Sequence, residues 1–129
     1  MFRGEGPPPG YLWTVLILDL AFDVAMKLLN EAQYKHVALQ IKQLAKEADP
    51  THSQTASVEQ IEDFFELKDK GGILGKINLR VFFHVDKDTS SLVVLGAIKK
   101  QNEGPTPQGD KIRMRRRKRK YVNGEFEDL

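Results

Sequence analysis

The residues best suited to chemistry lie on one predicted strand, Ile77 to Val85, in which polar and apolar side chains alternate. Successive side chains of a strand point to opposite faces, so Arg80, Phe82 and His84 share one face and the other face is entirely apolar. The apolar face must be buried, and the sequence predicts that the second face binds a polyanion. His84 is a candidate acid or base because it shares a face with Arg80, although a lone strand histidine is often structural.

A second apolar run, Leu92 to Ile98, follows the turn-forming residues Asp88 to Ser91 and ends in Lys99 and Lys100. Together the two runs predict a β-hairpin. Paired lysines at the end of a buried strand bring positive charge to the rim of the sheet, so they are further candidates for contact with an anion.

Charge is unevenly distributed along the chain, whose formal net charge is only +2. Residues 98–120 contain 10 Lys or Arg and 2 Asp or Glu, whereas residues 1–97 contain 10 basic and 13 acidic residues. The last segment, 123–129, is an acidic tail with 3 acids and no Lys or Arg. A basic block on a near-neutral body indicates a phosphate-bearing partner, although a solvated helix face would have the same composition.

The basic block is predicted to form a surface helix from about 107 to 121. Pro107 can begin a helix, Asp110 suits the first turn, and Asn123-Gly124 ends it. The candidate nucleic-acid-binding residues on this helix are Arg113, Arg115, Arg116, Arg117, Lys118, Arg119 and Lys120.

Composition excludes several classes of function. The chain of 129 residues suffices for one domain, and the absence of cysteine removes thiol nucleophiles, disulfides and zinc–thiolate sites and fits a reducing cytoplasm. Its three histidines show no metal-ligand spacing, so no metal site is expected. The apolar run Tyr11 to Leu18 ends at Asp19, far short of the ~20 residues that span a membrane, and is predicted to be a core strand rather than an export signal.

The remaining patterns predict the order strand, helix, helix, strand, strand, strand, helix. Residues 1–10 are expected to be a flexible leader before the domain at 11–122. Two apolar stripes out of phase near Ala32 to Tyr34 predict two helices or one kinked helix. Val58 to Lys68 fits either a helix or a strand, and its second half favours a strand. The expected fold is a single α+β domain with a small, mainly antiparallel sheet and the two early helices on one face.

In this order the chain resembles toxins of the RelE/ParE superfamily, and most of all the HigB-like, phage-derived branch. The resemblance covers Leu12 to Tyr121 and rests on four short pieces: FELKDKGG, INLRVFF, LVVLGAIKK and TPQGDKIRMRRRKRKY. Glu66 departs from the pattern, because some RNA-cutting relatives carry a basic residue in its place.

The resemblance implies a small cytoplasmic toxin of a type II toxin-antitoxin system, neutralised by an antitoxin of the helix-turn-helix type. RelE- and HigB-like members cut messenger RNA on the ribosome without a metal ion or cofactor, whereas ParE-like members block DNA gyrase. Three hypotheses therefore stay open: a ribosome-dependent endoribonuclease, a gyrase inhibitor, and a non-catalytic phage-derived relative that only binds nucleic acid.

The resemblance also implies site residues. Arg80 matches the arginine of the central strand, whose planar fork suits a phosphate, and Tyr121 matches a late aromatic that could donate a proton. The catalytic candidates are Arg80, Lys68, Lys99, Lys100, His84 and Tyr121. Phe64 and Phe82 could stack on bases, but packing under the basic helix is the favoured alternative. Arg80 could likewise be an exposed strand residue paired with Glu66.

Overall fold

The computed structural model describes residues 7–70, 72–75, 77–100 and 104–125. Residues 1–6 of the predicted leader and 126–129 of the predicted acidic tail lie outside the described residues. The strands are β1 (Thr14–Ile17), β2 (Ser57–Ile61), β3 (Phe64–Lys70), β4 (Asn78–Asp86) and β5 (Ser91–Lys100), and the helices are α1 (Asp19–Leu28), α2 (Glu31–Leu44) and α3 (Gln108–Val122). Short 3₁₀ turns occupy Pro50–His52 and Gly72–Leu74.

The strands form one sheet in the order β1-β5-β4-β3-β2, in which only the β1–β5 pair is parallel. Leu79 and Val81 of β4 share a lining with Val37 of α2 and Ala21 of α1, so α1 and α2 cover one face of the sheet. This arrangement confirms the predicted α+β class with a mainly antiparallel sheet and two early helices on one face. The helix α3 lies on the opposite face.

The two early helices are separate. Asn30 begins α2 with a reciprocal capping box, in which its side chain accepts from the Gln33 backbone N–H and the Gln33 side chain accepts from the Asn30 backbone N–H. This cap satisfies two backbone donors at the break, which explains why the apolar stripe changes phase there.

The sheet has one strand more than expected, because Val58 to Lys68 forms a hairpin rather than one element. Ile61 pairs with Phe64, which leaves Glu62 and Asp63 as a two-residue turn. Glu62 adopts a positive φ of 57° without being glycine. Such a turn usually contains glycine or asparagine. Neither residue is present here, so sequence patterns do not predict the hairpin.

A β-bulge in β5 fits α3 to the sheet. Phe82 pairs with Gly96 and Phe83 with Val94, so Leu95 is an extra residue without a partner on β4. The Leu95 carbonyl instead accepts a hydrogen bond of 2.8 Å from Nη1 of Arg117. The bulge thus provides the acceptor that holds the middle of α3 against β5.

Candidate functional site

The pairing of β3 with β4 brings two of the candidate cations together. Lys68 lies directly opposite Arg80, and both face the side of the sheet that carries α3. Lys100 pairs with Asn78 and shares this face, whereas Lys99 pairs with Leu79 and faces the α1–α2 side. Lys99 is therefore separated by the sheet from the other cations.

Arg80 is buried in a small polar cluster. Its side chain is only 3% exposed, and Nη1 donates to Oε1 of Glu66 at 3.0 Å. The Thr106 hydroxyl donates to the same carboxylate oxygen at 2.6 Å. Both Glu66 and Thr106 are buried as well. Pairing with Glu66, one of the two interpretations of Arg80, is therefore present, but the arginine is enclosed rather than on the surface.

The cluster borders an open groove of about 450 Å³, here named the Arg80 groove. It is lined by three cations and three carboxylates, which are Lys68, Arg80, Lys111, Glu59, Glu62 and Glu66. Lys68 pairs with Glu59, and this hydrogen bond and the ammonium charge hold the pKa of the Glu59 carboxyl below its usual range. The groove therefore has the cations that an anion needs, but their charge is balanced by carboxylates of the same chain.

His84 and Tyr121 lie at the other end of β4. Four residues separate His84 from Arg80, about 13 Å at ~3.3 Å per residue, with buried Phe82 between them. The Tyr121 hydroxyl donates to Oδ2 of Asp86 at 2.8 Å, and its ring meets the His84 ring edge-on at 5.9 Å. The structure therefore divides the six catalytic candidates into three sets. Arg80, Lys68 and Lys100 lie together, His84 and Tyr121 lie together, and Lys99 is separate.

The environment of His84 favours the neutral imidazole. Burial, and after it the charge of Lys118, lowers the pKa of His84, while the charges of Asp86 and Asp63 act in the opposite direction. Burial alone would raise the pKa of Asp86, but hydrogen bonds from Tyr121 and Thr89 leave it below its usual value. The Asp86 carboxylate is thus stabilised in its ionised form as the acceptor of the Tyr121 hydroxyl.

Phe64 and Phe82 belong to the core. Both rings are fully buried, and they contact each other edge-on at a centroid distance of 6.1 Å on the face that α3 covers. The prediction that they stack on bases is therefore wrong, because neither ring is exposed. The alternative, packing under the basic helix, describes their position.

The basic residues of α3 divide into two groups. On the inner side, Arg115 donates from Nε and Nη2 to Oε2 of Glu62, and Lys118 reaches the Asp63 carboxylate at 3.2 Å. With Arg117 on the Leu95 carbonyl, these contacts attach α3 to the sheet. Burial, and then the charge of Arg113, lowers the pKa of Arg117.

The outer side of α3 carries the exposed arginines, spaced three residues apart on one helical face: Arg113, Arg116 and Arg119. Arg113 pairs with Asp110 at 2.6 Å. Arg116 and Arg119 form no ion pair with any residue that the structure describes. Lys120 is half-buried. The surface offered to a polyanion is therefore narrower than the seven cations of the sequence suggested.

Two residues of the polar cluster, Glu66 and Thr106, were not predicted as site residues. Thr106 reaches Glu66 across 40 positions of sequence, and no local pattern reports such a contact. Its position at the Thr-Pro step before a basic helix was the only available signal.

Within the described ranges no group of three or more His, Asp or Glu could hold a metal ion, and none of the described helices is long and apolar enough to cross a membrane.

Known structures share this fold. The chain is similar to a mutant of the Escherichia coli toxin RelE in the free state, with a TM-score of 0.50 and 9% identity over 67% of this chain and 81% of that chain. It is also similar to the RelBE2 toxin–antitoxin complex from Mycobacterium tuberculosis, with a TM-score of 0.51 and 15% identity over 78% of this chain and 100% of that chain.

Sequence comparison adds no relative. No protein-family profile matches the chain. No curated protein matches it either. At identities of 9% and 15% the structural likeness concerns the fold alone, and the chain has the RelE-like fold.

Proposed function

We propose that the protein is the toxin of a type II toxin-antitoxin system and acts as a ribosome-dependent messenger-RNA endoribonuclease. The observation that carries the proposal is the cross-strand pair Lys68 and Arg80 on an open groove of the RelE-like fold. The known structures with this fold are named as a toxin and as a toxin–antitoxin complex. The HigB-like, phage-derived branch is part of the same proposal and rests on the sequence pieces.

RNA cleavage of this kind begins when a ribose 2′-oxygen attacks the adjacent phosphorus, and it ends when the 5′-oxygen leaves. The 2′-hydroxyl loses its proton and the leaving oxygen gains one, while negative charge accumulates on the phosphate between them. The planar guanidinium of Arg80 can bind two phosphate oxygens, and the ammonium of Lys68 adds a second positive charge. We therefore assign to the Arg80 groove the positioning of the phosphate and the stabilisation of its charge.

The exposed arginines of α3 extend the contact surface. Arg116 and Arg119 are exposed on the outer face of the helix, about 4.5 Å apart along its axis at 1.5 Å per residue. They are suited to phosphates of ribosomal or messenger RNA, with Arg113 beside them. The proposed partners are therefore the ribosome, its message and a cognate antitoxin, whose acidic segments could meet the same arginines.

Induced expression in a bacterial host, with all transcripts mapped for new 5′ ends, tests the proposal. We expect growth arrest and cuts inside translated messages. Lys68→Met should abolish both while the far-UV circular dichroism stays unchanged, because the Lys68 side chain is partly exposed and its ammonium pairs with an exposed carboxylate, that of Glu59. Lys35→Met is the matched control, since Lys35 pairs with Glu31 on the outside of α2. Arrest that persists undiminished in the Lys68 variant would contradict the assignment.

A second function is favoured by the charge balance of the groove. Lys68 and Arg80 are both occupied by carboxylates of the same chain, whereas Arg116 and Arg119 are open to a partner. This pattern suits a protein that acts by binding alone, either to nucleic acid or, like ParE-like toxins, to gyrase. Intact transcripts with accumulated DNA breaks would identify the gyrase inhibitor, and salt-sensitive RNA binding without arrest would identify the non-catalytic relative.

A further inference from the structure

The ion pair between Glu66 and Arg80 is buried almost completely, and among the described residues its hydrogen-bonding groups are not all paired. The side chains are 1% and 3% exposed. Glu66 presents a single oxygen, Oε1, to Nη1 of Arg80, and the buried Nε of Arg80 has no hydrogen-bond partner within the described chain. Removing two charges from water is costly unless their hydrogen-bonding groups are all paired. A phosphate that bonded two guanidinium nitrogens would satisfy Arg80 better than Glu66 does.

The loop before α3 closes on this pair. Thr106 is buried, and its hydroxyl donates to the same Oε1 that Arg80 binds. The neighbouring Pro105 carbonyl accepts from Nζ of Lys100 at the end of β5. Gly104, Pro105 and Thr106 all line the Arg80 groove. Residues 104–106 thus connect the groove to the start of α3, and the Thr106 hydroxyl is their hydrogen bond to the ion pair.

We propose that Thr106 is a latch that keeps Glu66 bound to Arg80, so that the Glu66 carboxylate occupies the position that a phosphodiester takes in the active protein. The closed arrangement is autoinhibited, because the guanidinium is neutralised and shielded from solvent. Release of the Thr106 hydroxyl weakens the hold on Glu66 and exposes Arg80 to a phosphate. This inference rests on the proposed role of the Arg80 groove and adds its regulation.

A purely structural ion pair would behave differently. If Thr106 merely stabilised the fold, its loss would lower the free energy of unfolding and leave the accessibility of Arg80 in the native state unchanged. If it is a latch, its loss changes that accessibility. The reactivity of the Arg80 guanidinium in the folded protein therefore separates the two roles.

Phenylglyoxal, which modifies accessible guanidinium groups, is the probe, and mass spectrometry of peptides gives the rate at each arginine. In the wild-type protein we expect Arg80 to react far more slowly than exposed Arg116. Thr106→Val keeps the shape of the side chain and removes the hydroxyl, so Arg80 should react about tenfold faster, as expected for loss of a hydrogen bond to a charged group. Inorganic pyrophosphate should protect Arg80 in the variant.

Three controls complete the experiment. Thr106→Ser restores the hydroxyl and should return the slow rate. Thr89→Val removes a hydroxyl at the far end of the sheet and should change nothing at Arg80. Glu66→Gln removes the carboxylate charge and should also make Arg80 reactive, provided that circular dichroism shows an intact fold. Equal and slow modification of Arg80 in the wild type and in folded Thr106→Val would overturn the latch.

RNA cleavage, measured beside the modification rates, distinguishes failure of the latch from failure of the proposed function. A latch on an active nuclease predicts that Thr106→Val cuts messages faster than the wild type. Wild-type cleavage that Thr106→Val leaves unchanged would overturn the latch and keep the nuclease. Release of Arg80 without any RNA cleavage would support the latch and overturn the nuclease.

Discussion

Gly96 of β5 lies directly beneath Arg117 of α3. A Cβ atom added at Gly96 would come within 2.6 Å of Nη1 of Arg117 and within 2.6 Å of Cε of Met114, distances shorter than van der Waals contact allows. The same Nη1 donates to the Leu95 carbonyl that the bulge leaves without a β4 partner. Gly96 therefore leaves the space that the ends of the Met114 and Arg117 side chains occupy between α3 and β5.

Gly96→Ala is expected to destabilise the protein by about 0.5–1.5 kcal/mol, the usual net contribution of a hydrogen bond such as the one from Arg117 to Leu95. The new methyl group would displace the ends of the Met114 and Arg117 side chains, and the hydrogen bond to Leu95 would be lost. Urea unfolding followed by circular dichroism measures the change. Gly109→Ala is the matched control, because nothing lies within 4 Å of the added Cβ in α3, and it should stabilise the helix by about 0.5–1 kcal/mol. Equal stability of the two variants would contradict the close approach.

Stability is expected to decrease in mildly acidic solution because of His84. Burial and the charge of Lys118 hold the pKa of His84 below its usual 6.5, so the unfolded chain binds this proton more tightly than the folded chain. The free energy of unfolding should therefore be maintained above the usual pKa of 6.5 and should decrease as the pH falls below it. Urea midpoints measured above and below that pH, for the wild type and His84→Gln, show the effect. If stability decreased by the same amount in His84→Gln, the effect would belong to another group. His52→Gln, which changes an exposed histidine, is the control and should behave like the wild type.

The alternation from Ile77 to Val85 was sufficient to predict which residues share a face of β4. Arg80, Phe82 and His84 do share it, as the pairing with β5 shows. What alternation could not predict is that α3 covers only part of this face. Because the helix lies over Phe82 and meets His84 through Tyr121, Phe82 belongs to the core and His84 is partly buried, while Arg80 is enclosed beside a groove.

Other features depend on contacts that short-range patterns do not encode. The hairpin at Glu62 lacks glycine, and its turn is held instead by Arg115 and Lys118 from a helix more than 50 residues later. The enclosure of Arg80 likewise depends on Thr106, which is distant in sequence. Charge counting could find the basic helix, but it could not divide its cations into those that hold the fold and those that face solvent.

The turn at Glu62 provides a test of backbone strain. Its φ of 57° costs a side-chain-bearing residue roughly 1–2 kcal/mol relative to glycine. Glu62→Ala and Glu62→Gly both remove the carboxylate that Arg115 binds, so the lost ion pair cancels when the two variants are compared. Glu62→Gly should therefore be the more stable by about 1 kcal/mol in urea unfolding. If the alanine variant were equally stable, the turn would not have the left-handed conformation at this position.

The division of the basic helix into inner and outer cations can be tested by RNA binding as a function of salt. Arg116 and Arg119 face solvent, so the double change Arg116→Ala and Arg119→Ala should weaken binding to single-stranded RNA. It should also reduce the slope of log K against log salt by about 1.4, since each phosphate contact contributes about 0.7.

The matched pair is Arg115→Ala with Lys118→Ala, which removes the same charge from side chains that bind Glu62 and Asp63. We expect this second pair to lower the free energy of unfolding while the salt slope of the folded protein changes less. Equal slopes for the two double variants, measured by fluorescence anisotropy, would show that the inner cations also contact RNA and that α3 moves when it binds.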